Sequence, residues 1–322
     1  MIYQFIPNAP VRVMERLIRS MAPGTTAILD LEDGYLDVRD PAKTSERRES
    51  GRKQLLELCA RSRGRTNGRP VAMRINAAGT DDFVRDLTVV REVADTFGLA
   101  AIMLPKVGSG EEYRDALAAI EEWRLAHADL IPIVETKEGL GRLDEIAAAA
   151  VTAGATTLFY GHYDYCLDAG CWPFSHPADN AYWELVERVV KGATGAGLRY
   201  VHPPEASLRD EVLLGRMISR LRRLCGNRFD LASAGMSQTP ILLRLTEDCS
   251  SCAATPEAVV SRSPLGPEEK RRLAEETCAL FEENNRQEHS FSADARTGRF
   301  ISPHEYLAAV RYLRSFRSLQ RA

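Results

Sequence analysis

Residues 130–164 read LIPIVETKEGLGRLDEIAAAAVTAGATTLFYGHYD, and their pattern decides the fold. LIPIVET and TTLFY are short apolar runs that do not alternate, which is how strands buried on both faces read. Between them Leu143, Ile146, Ala147, Ala150 and Val151 fall at helical steps and mark one apolar stripe. The same strand–helix–strand unit recurs outward in both directions. YQFIP at Tyr3, TAILDLED at Thr26, PVAMRIN at Pro70 and AAIMLPK at Ala100 precede it, and LRYVHPP at Leu198 and FDLASAG at Phe229 follow. Phe83, Leu87, Val90, Ala94 and Phe97 form one helical stripe, and Tyr113, Leu117, Ile120 and Trp123 another. Ser109 before Gly-Glu-Glu and Asp81-Asp82 before Phe83 mark helix starts.

Eight such strands alternating with helices predict a (β/α)8 TIM barrel rather than an open doubly wound sheet. No GxGxxG follows the first strand, which weakens a dinucleotide fold further. The barrel is expected to be the catalytic domain, residues 1–244. Residues 245–322 read as a connection and a C-terminal helical extension. Pro267 opens a helix with Leu273, Thr277, Leu280 and Phe281 on one face, and Tyr306, Ala309, Val310 and Leu313 stripe the last one. That tail is too small for a core of its own, so it is expected to dock across a barrel mouth or on a neighbouring subunit.

The 322 residues carry a formal charge of −3, with no electrostatic footprint for nucleic acid. The basic stretch Arg216–Arg228 is interleaved with Met217, Ile218, Leu221 and Leu224, the wet side of an amphipathic helix. No run approaches a signal peptide or a membrane span, which predicts a cytoplasmic protein with no membrane partner. Seven cysteines without framework spacing suit a reducing compartment. Cys249 and Cys252 form a lone CxxC with no second pair, read as a loop rather than a zinc site.

In such a barrel chemistry collects where strands run into the following loops. Glu32 and Asp33 end the second strand, Arg74 and Asn76 the third, and Lys106 the fourth. Glu135 and Thr136 end the fifth, and His162 and Asp164 the sixth. Any one acid after a strand is an ordinary helix cap. Four converging on one rim are costly to bury unless a cation neutralises them, and an oxygen-rich set without paired His suits Mg2+ or Mn2+.

The ordered motifs LDLEDG (29–34), MRINAAGT (73–80), IMLPKV (102–107), IVETKEGL (133–140) and YGHYDY (160–165) resemble those of the HpcH/HpaI aldolase and citrate lyase β-subunit superfamily. The resemblance implies a TIM barrel, a homo-oligomer of three or six subunits, and a divalent metal. It implies Glu135 and Asp164 as direct metal ligands, with Glu32 and Asp33 holding metal-bound water or substrate. Arg74 would bind a substrate carboxylate or carbonyl oxygen, and Thr136 and Lys106 would be further substrate contacts. A rim salt bridge is the equal alternative for Lys106, and the general base stays open between His162 and His202.

The chain departs from the acyl-CoA lyases of that superfamily. Their Ile-His-Pro-x-Gln is Ala234-Gly-Met-Ser-Gln238 here, and their tail Asp is missing from Gly298-Arg-Phe-Ile-Ser-Pro303. The leading expectation is therefore a metal-dependent carbon–carbon lyase or aldolase acting on a 2-oxo or 2-hydroxy acid through an enolate, with no tight CoA binding. The second is a citramalyl- or malyl-CoA lyase. The third is a barrel that binds a small carboxylate without turnover.

Overall fold

A computed structural model describes residues 1–63, 71–125, 127–248, 265–284, 292–294 and 298–319. Eight parallel strands close a barrel in sequence order, with the last paired to the first. They are β1 (Ile2–Phe5), β2 (Thr25–Asp30), β3 (Val71–Arg74), β4 (Leu99–Leu104), β5 (Asp129–Val134), β6 (Thr157–Tyr160), β7 (Arg199–His202) and β8 (Phe229–Ser233). Each overlaps one of the eight apolar runs and starts within one residue of it.

Continuous apolarity follows from having two buried faces. Ile28, Ala72, Met103, Ile131, Phe159 and Val201 point inward and fill the barrel. Leu29, Met73, Ile102 and Leu158 point outward into the shell shared with the helices. The helical stripes supply the other half of that shell: Phe83, Leu87, Val90, Tyr113, Ile120, Ile146 and Ala150 are buried, whereas Val151 is exposed. Ser109 caps its helix by accepting the Glu112 N–H at 3.1 Å. The helix Asp81–Phe97 is capped one residue earlier than its acids suggest, by Thr80, which accepts the Phe83 N–H at 3.1 Å. In the basic stretch, Met217, Ile218 and Leu221 are buried on the helix Glu211–Cys225, while the Arg220 guanidinium lies 4.5 Å from the Trp183 ring centroid.

The last barrel helix runs Thr239–Glu247, so a domain boundary at 244 falls inside it. Cys249 and Cys252 lie outside the described residues. The tail docks on its own barrel. Two short antiparallel strands, β9 (Ser292–Asp294) and β10 (Arg299–Ile301), lead into the helix Pro303–Leu319. The Phe300 N–H donates to the Ala206 carbonyl at 2.9 Å and the Leu208 N–H to the Gly298 carbonyl at 3.2 Å, which fastens the tail to the loop after β7. Phe281 stacks on Tyr306 with ring centroids 4.4 Å apart, joining the helix Pro267–Asn284 to the last one. Among the described residues no helix is long and apolar enough to cross a membrane.

Candidate active site

The carboxyl ends of the strands and the docked tail bound a cavity of about 1660 Å³. Arg74, the last residue of β3, is its electrostatic hub. Its Nε and Nη2 make a fork on Asp30 at 2.8 and 2.7 Å, and its Nη1 donates to Asp33 at 2.8 Å. Glu32 Oε2 lies 3.2 Å from the same Nη1. Burying a guanidinium is tolerable only with such paired acids around it. Asp30 is a residue that sequence reading missed, because an unbroken apolar strand does not show which way its final side chain points.

Lys106 takes a left-handed φ of 57°, a conformation that costs energy for a side chain with a Cβ. Both ends of the residue hold it there. Its N–H donates to Glu135 Oε1 at 2.8 Å, and its ammonium pairs with Glu32 and, at 3.1 Å, with Asp164. The rim salt bridge is thus what this structure shows. Glu135 lies against Gly161, where any Cβ would overlap Glu135 Oε2, so a glycine is required for close approach. Thr136 caps the short helix Lys137–Gly141 by accepting the Gly139 N–H at 3.0 Å.

The tail contributes a residue that sequence reading missed. His304, 5% exposed, places Nε2 3.5 Å from Asp33 and 3.2 Å from Asp164. The signal was present: Ser302-Pro-His-Glu305 is a capping box with proline at the first helical position, which fixes His304 in a helix's first turn. Ser302 does cap, accepting the Glu305 N–H at 3.0 Å. What the motif cannot show is which mouth that turn faces.

Of the two histidines considered as bases, His162 lines the cavity wall, and both rings are held by other partners. His162 Nδ1 meets the Tyr160 hydroxyl at 3.1 Å and its Nε2 the Ser175 carbonyl at 2.9 Å. His202 lies between the hydroxyls of Tyr182 and Tyr200, each at 3.0 Å. Burial pushes His162 down to about 4 and His202 down to about 3. With both ring nitrogens engaged, neither is brought to the acid ring as a proton carrier. Asn76 is likewise structural here, donating from its backbone and its side chain to Asp86 at 2.8 and 2.7 Å. Gln238 bridges the β7 and β8 loops, accepting from Ala234 and donating to the Glu205 carbonyl.

Five carboxylates (Asp30, Glu32, Asp33, Glu135, Asp164) therefore face three cationic side chains (Arg74, Lys106, His304). The imbalance is visible in their proton affinities. Burial, then Asp33, pushes Glu32 up to about 7; burial, then Asp164, raises Glu135 well above the carboxylate range. Burial also works against the charged forms of Asp33 and Asp164, but Arg74 and His304 hold Asp33 down and His304 holds Asp164 down. Glu32 Oε2 accepts no hydrogen bond despite its burial. A ring of oxygen donors short of positive charge fits a divalent cation. Asp33, Asp164 and His304 bring one donor atom each within 4.8 Å of one another, and Glu135 is not in that trio.

A closed parallel barrel with an acid ring at its C-terminal mouth defines the class of protein. The sequence model of the HpcH/HpaI aldolase/citrate lyase family matches residues 19–208, and the chain belongs to that family. It is 33% identical over 175 residues to a citrate lyase subunit beta-like protein of Mycobacterium tuberculosis, covering 54% of this chain and 53% of that one. The match thus spans about half the length of the curated relative. Among solved structures, the M. tuberculosis citrate lyase beta subunit complexed with oxaloacetate and magnesium superposes with a TM-score of 0.55 at 22% identity, covering 77% of this chain and 96% of that one. M. tuberculosis protein CitE in complex with magnesium, acetoacetate and coenzyme A gives a TM-score of 0.55 at 20% identity over 98% and 97% of the chains. These likenesses establish the shared fold.

Proposed function

We propose that the chain is a divalent-cation-dependent carbon–carbon lyase or aldolase acting on a 2-oxo or 2-hydroxy acid. The observation that carries this reading is the buried acid ring, five carboxylates against three cations, at the open mouth of the barrel. The magnesium and oxaloacetate of the M. tuberculosis structure support it. Glu135 and Asp164, at the ends of adjacent strands, would hold the cation, with Glu32 and Asp33 beside them.

Cleavage beside a carbonyl leaves an enolate, and a cation bound in this ring supplies positive charge to it. The chain's own residues prepare that place. Asp30 fixes the plane of Arg74, so the guanidinium charge stays beside the ring. Lys106, 38% exposed, keeps its ammonium between Glu32 and Asp164, so its charge also stays beside the ring. The docked tail narrows the mouth and limits water there.

The test is turnover of pyruvate-derived and oxaloacetate-type acids, with and without Mg2+ or Mn2+. Release of the carbonyl product that stops on chelation is expected. No turnover across the panel, with no divalent ion bound by calorimetry, overturns the proposal.

One observation favours a second reading as an acyl-CoA lyase. The cavity continues past the mouth along Pro7–Arg12 and the Ser50, Lys53, Gln54 and Arg61 face of the helix Pro41–Ser62. The absent tail Asp argues against it. Acetyl-CoA release from malyl-CoA or citramalyl-CoA at about one per second would promote it.

A further inference from the structure

We infer that His304 is a nitrogen ligand to the divalent cation, so that this site selects a transition metal over Mg2+ and ties the tail to the barrel through the ion. This rests on the cation-dependent reading above and concerns which donors hold the ion.

The geometry carries it. Donor atoms about 2.0–2.2 Å from one ion lie roughly 3.0–3.5 Å from each other in octahedral or tetrahedral arrangements. His304 Nε2 lies 3.2 Å from Asp164 Oδ1 and 3.5 Å from Asp33 Oδ1, in that range on both sides. All three side chains are withdrawn from solvent, at 6%, 11% and 6% exposure for His304, Asp164 and Asp33. Next to them Glu32, 3% exposed, turns its Oε2 to Arg74 Nη1 at 3.2 Å, so it stands beside the trio and not in it.

The donor set then decides the metal. Mg2+ is a hard ion that takes oxygen and keeps its water, whereas Mn2+, Fe2+, Co2+ and Ni2+ accept imidazole nitrogen beside carboxylates. Two carboxylates and one imidazole, which gives up its proton to solvent when the ion binds, make a site of the second kind. The nitrogen comes from the tail, the carboxylates from the loops after β2 and β6. A cation shared by them would close the tail over the mouth more firmly than the Phe300–Ala206 hydrogen bond and the Arg299–Glu305 pair do alone.

The test uses the full-length protein stripped of metal by chelation. Loaded with Mn2+, the wild type is expected to show coupling to an imidazole nitrogen by pulsed EPR. By calorimetry it is expected to bind Co2+ about a hundredfold tighter than Mg2+. His304→Gln, which offers oxygen in place of nitrogen, should lose the coupling and at least about tenfold of the Co2+ affinity, while the Mg2+ affinity moves by less than about threefold. The wild-type spectrum stands whether or not the variant folds. Mn2+ bound without nitrogen coupling, or an equal loss for both ions in His304→Gln, overturns this inference and leaves the cation-dependent lyase standing. A wild type that binds none of the ions overturns both.

Discussion

The two mouths of the barrel treat buried charge in opposite ways. At the N-terminal mouth Arg199 lays a fork on Asp230 at 2.9 and 2.7 Å, and the Met1 ammonium adds a contact at 2.7 Å. The remaining Arg199 donors reach the carbonyls of Asn227 and Phe229. Asp230 there has its cations, and Asp129 at the start of β5 accepts from the Thr156 N–H and hydroxyl at 3.0 and 2.5 Å. At the C-terminal mouth acids outnumber cations, Glu32 and Glu135 are pushed toward the neutral form, and Lys106 is held in a costly backbone conformation. Both ends are built from strand termini of one sheet. Satisfied charge at one end reads as stability; unsatisfied charge at the other reads as a place kept for something else.

The contrast breaks most visibly if an acid is neutralised at the C-terminal mouth. Glu135→Gln should lower kcat about a thousandfold, as removal of a charged group from a reacting centre does. In metal-free protein the same change should raise Tm by about 3 °C, since it removes a carboxyl whose ionisation burial and Asp164 oppose. A calorimetric scan beside a rate assay checks both, and a lower Tm would show that Glu135 serves the fold.

Gly161→Ala is the next largest. Its Cβ displaces the Glu135 carboxylate, so activity should fall about a hundredfold with circular dichroism unchanged. Unaltered kinetics would show that Glu135 has another place to go.

At the opposite mouth Asp230→Ala should cost about 2 kcal/mol of stability by denaturant titration, below the usual loss for a buried pair because Arg199 is 40% exposed. The rate constant should not move. A loss of turnover would mean that the two ends are coupled.

The smallest effect is on pH dependence, and its sign differs between the mouths. Burial opposes the Asp230 charge, but Arg199 and the N-terminus hold its folded value below the ordinary 3.8. Its contribution is full above 3.8 and is lost as pH falls through the folded value. Glu32 runs the other way: raised from 4.5 to about 7, it makes metal-free protein less stable as pH climbs between those values. Denaturant midpoints from pH 3 to about pH 8, with Asp230→Asn and Glu32→Gln as controls, separate the two slopes.

His162 and His202 show how legible the site was. Both stand at the C-terminal ends of barrel strands, as catalytic bases do, yet each ring is pinned by tyrosine hydroxyls or a carbonyl. Sequence position places a residue at a strand end; it does not say whether the ring turns inward or outward. Glu32, Asp33, Arg74, Lys106, Glu135 and Asp164 do gather at one mouth, since each ends or closely follows a parallel strand.

The strand runs, helical stripes and acid-bearing strand ends were determined by the sequence itself, because periodicity and capping are local and parallel strands carry their C-termini to one side. Tertiary structure alone decided what those acids meet. Asp30 on Arg74, Lys106 between Glu32 and Asp164, and His304 beside Asp33 and Asp164 depend on barrel closure and on where the tail docks. Those contacts join residues far apart in the chain, and no local pattern encodes the balance of charge among them.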